Sequence, residues 1–253
     1  MRLHADFLVR GVRFLEANPT VGGVGGAVVN RGVLNLEYEQ RTRRLDADRR
    51  PGPVTRLNGS GLYRRAAIDE AGYATDRNLH GEEELDLAAR LQASGWILAR
   101  LDCHAVDHYG REDNAYLALL RRVWTKNAFG PGEIIRASLG RPHFRFIARN
   151  DRNFMICGVV AAWWCCIAAV ALLAKGVDAT IAIAVLGAVP FVIMTMRWRS
   201  LSNAVYSVTA WNVFTLCFLP GFLRPRAPPA KWMDSTVIKD LPIGSGSALR
   251  ARP

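Results

Sequence analysis

Two regimes of hydrophobic patterning divide the chain. Up to about Asn150, apolar residues are scattered among polar ones at helical or strand spacing; from Phe154 to Leu223 the sequence is nearly continuous hydrocarbon with two basic interruptions. In the first regime, Leu3, Phe7, Leu8, Phe14 and Leu15 recur near the 3.6-residue period and run into Asn18-Pro19, which predicts an amphipathic helix over 2–17. The Gly- and Val-rich stretch 21–30 predicts a strand. The alternation in 34–39 suggests another, 41–53 reads as a solvated arginine-rich loop, and 57–63 as a short strand or turn around Gly59-Ser60-Gly61. A helix is predicted over 64–71. The clearest soluble helix covers 82–94, where Leu85, Ala88 and Leu91 form a stripe with Leu87 beside it and Gly95 supplies the C-terminal cap. Short strands are predicted at 96–101 and 105–108, then a basic amphipathic helix at 115–129, suited to a membrane surface.

The second regime is a membrane pattern. Residues 154–174 form an uncharged run of bilayer-spanning length, Lys175-Gly176-Val177-Asp178 is a tight polar turn, and 179–196 is a second uncharged run, so a transmembrane hairpin is predicted. Residues 201–223 are apolar but carry Ser202, Asn203, Tyr206, Ser207 and Asn212. An interfacial or re-entrant helix is the preferred reading there, with a third span as the alternative. Pro225, Pro228 and Pro229 mark an extended segment, and 224–253 reads as a Pro-rich flexible tail.

Charge supplies an orientation. The 253 residues carry a formal net charge of +11 although half of them are hydrophobic, so the two characters must be segregated. Arg145, Arg149 and Arg152 precede the first apolar run, Arg197 and Arg199 follow the second, and Arg224, Arg226 and Lys231 follow the third. Clusters so placed predict cytoplasmic flanks, with the hairpin turn outside, and argue for anionic lipid rather than nucleic acid as the basic partner. The expectation is a multi-pass plasma or inner membrane protein with soluble part and tail in the cytoplasm. Four of the five cysteines (Cys157, Cys165, Cys166, Cys217) lie in apolar runs and act as small hydrophobes, and no spacing fits a zinc finger. Gly22, Gly23, Gly25 and Gly26 look like a dinucleotide fingerprint, but Ala27-Val28-Val29 continues a strand where that motif needs a helix.

Candidate chemistry concentrates at Glu82-Glu83-Glu84-Leu85-Asp86-Leu87, the densest acidic cluster of a basic protein. Carboxylates in a first helical turn are favoured by the helix dipole alone. Their context is an ordered series: Asn58-Gly59-Ser60-Gly61-Leu62-Tyr63-Arg64-Arg65, Ile68 to Tyr73, the acidic cluster with Ala88 to Leu91, Gly95-Trp96, and His108. Over about residues 3–110 this series resembles family 2 glycosyltransferases of the GT-A fold, whose second half runs through a glycine-bearing strand ending in two arginines, a Gly-aromatic turn and a Glu-Asp-x-Asp-Leu helix start. The paired apolar helices and Pro-rich tail resemble membrane-bound members that build polysaccharides or glycolipids.

The resemblance implies an α/β fold, an incomplete GT-A-like mixed sheet with flanking helices, followed by the hairpin and interfacial helix. It divides the chain into an acceptor-side half (1–110), a basic juxtamembrane region (111–152), a membrane region (153–223) and the tail. It implies sugar transfer, with inversion, from a nucleotide-sugar donor to a saccharide or lipid-linked acceptor. Glu84 would be the general base, Glu83 its orienting neighbour, and Asp86 a structural or acceptor-side contact. Gly59, Ser60, Gly61, Arg64 and Arg65 would bind substrate. The family usually has Asp at the position of Glu84, so this base is one methylene longer. His108 is a candidate metal ligand, with Asp102, Cys103, His104 and Asp107 nearby. Family members hold Mg2+ or Mn2+ with an Asp-x-Asp motif in a nucleotide-binding half that this chain lacks; Asp46-Ala47-Asp48 has the letters but stands on the wrong side of the glycine strand. Two expectations follow: a truncated product of a longer enzyme, or a short protein acting as a non-catalytic membrane adaptor or partner subunit of another transferase.

Overall fold

A computed structural model of the chain describes residues 2–32, 35–47, 50–109 and 114–231. Its soluble half is built on two long parallel strands, β2 (Val21–Arg31) and β5 (Ile97–Tyr109). Three two-residue strands pair antiparallel with them: β1 (Arg2–Leu3) and β3 (Gly52–Pro53) on β5, and β4 (Leu62–Tyr63) on β2. Helix α1 (Ala5–Ala17) leads into β2, and α2 (Leu36–Ala47), α3 (Arg65–Glu70) and α4 (Glu83–Ala93) fill the crossover from β2 to β5. The result is a mixed sheet flanked by helices.

The glycines of β2 are a packing device. A Cβ at Gly22 would press on Trp96 and Ala67, one at Gly23 on Tyr63, and one at Gly26 on the Cys103 carbonyl of β5. Side chains from both layers therefore close directly onto the β2 backbone, and β2 continues without a break through the glycines. Helix α4 is buried on nearly every side: Leu87, Ala88 and Leu91 pack with Leu57, Ala67 and Leu98 on the sheet side, while Leu85 and Ala89 join Ile134, Ile135 and Ile147. Its first turn remains open, as does its far end at Ala93.

Downstream come α5 (Ala115–Trp124), a 3-10 turn at Asn127–Phe129, α6 (Gly130–Ser138) and α7 (Phe144–Asn150). Three helices then follow that are long and apolar enough to cross a membrane: α8 (Arg152–Leu173), α9 (Gly176–Trp198) and α10 (Leu201–Leu223). They differ in how much the protein covers them. The most apolar stretch of α8 or α9 is 11% buried, against 28% for α10. At one end of α10, the Gln40 amide of α2 donates to Asn203 and to Ser207 Oγ at 3.0–3.1 Å; at the other, Arg224 donates to Glu133 of α6 at 2.9 Å. Between them, Gly132 of α6 lies so close that a Cβ there would run into the Phe218 carbonyl, and Gly221 meets the Phe129 carbonyl in the same way. Helix α10 thus lies against the soluble half along its whole length, roughly 34 Å for 23 residues.

Several sequence expectations change. Residues 36–47 are helical where a strand at 34–39 and a loop from 41 were predicted, with Leu34 outside the described residues. The cause is a polar contact face: α2 meets α10 through Glu37, Glu39 and Gln40, so no apolar stripe betrays the helix. The two short strands at 96–101 and 105–108 are one strand, because β1 and β3 share a single edge of it. The hairpin turn shrinks to Ala174 and Lys175, with Asp178 inside the first turn of α9. Helices α6 and α7 fall where none was predicted. The start of the tail is docked: Arg226 pairs with buried Asp76, and Ala227 exchanges hydrogen bonds with Asn78 at 2.8 Å. The rest of the tail, from 232 on, lies outside the described residues, as does Asp48 of the Asp-x-Asp letters.

Candidate functional site

The open first turn of α4 points into a cavity of about 450 Å³ between the soluble half and the apolar helices. The soluble half contributes Glu37, Gln40 and Arg41 from α2, Arg56, Asn58 and Gly59 from the loop before β4, Glu82 and Glu84 from α4, and Arg122 from α5. The opposite wall is Arg152, Asn153 and Ile156 of α8 with Tyr206, Ser207, Ala210, Trp211 and Phe214 of α10. One side is therefore charged and the other largely apolar and aromatic.

The sequence builds the mouth through one strained residue. Glu82 caps α4 with φ +65°, ψ +21°, the left-handed region, where a side chain with a Cβ costs about 1–3 kcal/mol. Its carboxylate is held from both sides, by Arg56 Nη1 at 3.2 Å and by Asn153 Nδ2 of α8 at 2.8 Å. This ties the active-looking turn to the entrance of the first membrane helix. Glu37 is likewise committed, to Arg122 and to the Tyr206 hydroxyl. Glu84 stands apart: exposed, lining the cavity, and without a hydrogen bond or ion pair among the described residues. Its charge is felt by Tyr63, whose phenol is pushed up to about 12 by burial first and the Glu84 carboxylate second. Glu83 is half-buried and does not line the cavity; burial raises its carboxyl, and Glu84 and Glu82 add to the effect.

The remaining predicted residues separate into two groups. Gly59 lines the cavity with φ +63°, a turn that favours glycine, and Ser60 is buried beside it. Gly61 is exposed and lies under the Tyr63 ring. Arg64 and Arg65 point elsewhere: the Arg64 guanidinium donates to the carbonyls of Leu15, Asn18 and Val21, fastening the end of α1, and Arg65 pairs with Asp69 on the surface at 2.7 Å. Asp86 is buried in an ion pair with Arg90 at 2.8 Å, and Arg90 in turn stacks on Tyr73 and donates to the Ala71 and Tyr73 carbonyls. Arg64 and Asp86 hold the fold together, Arg65 stays on the surface, and none of the three lines the cavity.

His108 stacks on Tyr38 at 5.8 Å, with its Nδ1 buried and unpartnered. Burial and then the Arg41 charge push its pKa down, keeping the ring neutral. Among the described residues it joins no group of three ligands; the group with ligand atoms close enough to share an ion is His4, His104 and Asp107. The Asp107 carboxyl is held down at about 2 by hydrogen bonds from Arg31 and, next, His4. Mg2+ and Mn2+ call for several oxygen ligands. At the cavity, Glu37 and Glu82 are already neutralised by arginines, so the described residues do not form a cage for such an ion.

Sequence patterning missed Glu37, Gln40, Arg56, Asp151 and Asn153. Asp151 is the most perturbed acid outside the membrane helices. It is 1% exposed; its Oδ1 caps α8 by accepting from Asn153 N and Phe154 N at 2.9 and 3.2 Å, while Oδ2 is buried without a partner. Burial first and the Glu82 charge second push its carboxyl up to about 7, against the opposing pull of the two N–H groups and Arg56. Asp-Arg-Asn immediately before an uninterrupted apolar run was the available signal.

Compared with protein-family models and with curated proteins, the chain matches none.

Proposed function

We propose that this chain is the membrane-docked, acceptor-side part of a sugar transferase in which Glu84 removes the proton from an acceptor hydroxyl. As that oxygen bonds to the anomeric carbon of a nucleotide sugar, the bond from that carbon to the leaving diphosphate breaks, and the configuration inverts. One observation carries the reading: Glu84 is a carboxylate without a partner among the described residues, on the wall of a cavity whose far side is Ile156, Trp211 and Phe214. A general base must first be within reach of the proton it takes, and Glu84 is the cavity acid not already paired with an arginine. With Arg56 paired to Glu82 and Arg122 to Glu37, Arg41 and Arg152 leave the lining with a positive excess over Glu84, which favours a phosphorylated donor or acceptor. The apolar wall favours an acceptor carried on a lipid. No step is assigned to a metal ion, because the cavity residues do not fit one.

The same reading puts the soluble half on the cytoplasmic face, with α8 and α9 crossing the bilayer and α10 lying at its surface. The outer face of α5 supports this: Leu117, Leu120 and Trp124 are 62%, 63% and 89% exposed, with Lys126 exposed just beyond, the composition of a helix that rests on anionic lipid. That face also favours the second reading, a non-catalytic membrane adaptor for another transferase.

The test is sugar transfer by membranes containing the protein made from its native reading frame. Glu84→Gln is expected to lower transfer by at least 100-fold, in the range typical of a lost general base, with membrane insertion unchanged. Full activity in Glu84→Gln removes the base. Wild-type protein that transfers no sugar but co-purifies with a larger transferase supports the adaptor instead.

A further inference from the structure

His4, His104 and Asp107 are brought together by strand register on the side of β5 that β1 covers. Arg2 and Leu3 pair with Asp107 and Val106, and the His4 amide donates to the Ala105 carbonyl at 2.9 Å. His4 therefore arrives beside the residues flanking Ala105. Its ring lies 4.0 Å from that of His104, and both turn Nε2 toward one carboxylate: His4 Nε2 to Asp107 Oδ2 at 2.9 Å, His104 Nε2 to Asp107 Oδ1 at 3.2 Å.

We infer that His4, His104 and Asp107 form a binding site for a divalent transition metal of the zinc class, independent of the cavity at Glu84, which fastens the start of α1 to β5.

Three observations support it. The candidate ligand atoms lie within 4.8 Å of one another, and the two histidine–carboxylate distances, 2.9 Å to Oδ2 and 3.2 Å to Oδ1, fall just short of the roughly 3.3 Å edge of a tetrahedron with 2.0–2.1 Å metal bonds. Those two separations need to open by only a few tenths of an ångström to admit an ion. Second, His104 Nε2 is buried and makes no hydrogen bond among the described residues, although Asp107 Oδ1 stands 3.2 Å away. A buried ring nitrogen without a hydrogen bond calls for a partner, and a metal ion would supply one. Third, Arg31 Nε donates to Asp107 Oδ1 at 2.9 Å, the kind of outer hydrogen bond that orients a ligating carboxylate and leaves Oδ2 for the ion. The guanidinium charge opposes a cation, but its side chain is 56% exposed and well solvated. The His4 and His104 side chains are about one-third exposed, so the cluster lies near the surface.

The ligand type sets the metal. Two imidazoles and one carboxylate favour Zn2+, Co2+ and Ni2+ over Mg2+ or Ca2+, which require mostly oxygen. His108, the ligand expected from the sequence, is not one of the three.

The experiment uses the full chain in detergent, stripped with a chelator and titrated with Co2+ and then Zn2+. One Co2+ per chain with the intense visible bands of a four-coordinate ion, displaced by Zn2+ but not by Mg2+, is expected. His4→Ala and His104→Ala should each weaken binding at least tenfold, Asp107→Asn likewise while keeping an oxygen for Arg31, and His108→Ala should leave it unchanged. Zn2+ should raise the melting temperature of the wild type and not of His104→Ala. Binding that survives His104→Ala in a variant with wild-type circular dichroism, or Co2+ bands that vanish in His108→Ala alone, overturns the site. None of these readouts depends on sugar transfer.

Discussion

Replacing Asp151 with Asn removes a buried charge while retaining its capping oxygen. Asn and Asp serve equally well at a helix N-cap, so the bonds from Asn153 N and Phe154 N survive in Asp151→Asn. What changes is titration. The ordinary Asp value is 3.8, and in the folded protein it is about 7. Between those pH values the folded chain holds a proton that the unfolded chain has released, so the stability this group contributes is fully present below about pH 4 and is lost as pH rises through about 7. Each pH unit in that window costs about 1.4 kcal/mol, so from pH 5 to pH 8 the wild type loses roughly 3 kcal/mol that the variant keeps. For a chain of this size that is on the order of 5–10 °C in melting temperature. The assay is thermal unfolding of both proteins in detergent at half-unit steps from pH 4 to 8. The variant is expected to match the wild type near pH 4 and to pull ahead up to pH 7, after which the gap stays constant. Removing the neighbouring charge with Glu82→Gln should shift the wild-type transition to lower pH, because Glu82 is the second cause of the shift. A gap independent of pH, or an Asp151→Asn protein less stable than wild type at pH 8, refutes the reasoning.

Two further predictions concern residues that hold the site in place. Asp86→Ala leaves the Arg90 guanidinium buried without its partner and is expected to cost about 3–5 kcal/mol in denaturant unfolding; lost transfer at unchanged stability would instead make Asp86 an acceptor contact. Gly132→Ala drives a methyl into the Phe218 carbonyl and should lower stability by about 1–3 kcal/mol while loosening α10 from α6, read by melting temperature and by disulfide trapping of engineered cysteines across the two helices. An unchanged melting temperature would mean the two helices pack further apart than described.

How much was legible in advance follows from which interactions are local. The apolar runs of α8, α9 and α10 announced themselves because a bilayer-length helix needs only composition and length. Helix α4 was legible from its stripe and from Gly95, whose φ of +87° ends it as predicted. Glu84 at the head of that helix was reachable by order of motifs. The neighbours that form the cavity around it were not, because Gln40 meets Asn203 and Asn153 meets Glu82 across gaps of 163 and 71 residues, through polar atoms that leave no periodic signal.

The sequence by itself determined the division into a polar half and an apolar half, the cationic flanks, and the acidic first turn of α4, all set by residue type and short-range spacing. Tertiary structure decided the rest. It left Glu84 without a partner among the described residues while pairing Glu82 and Glu37 with arginines, turned Arg64 and Asp86 into structural ties, and laid α10 along the soluble half. It also gathered His4 with His104 and Asp107, residues 100 and more positions away, through the register of a two-residue strand. The physical reason is that a carboxylate or imidazole takes its role from the charges and donors within a few ångströms, and those come from distant parts of the chain.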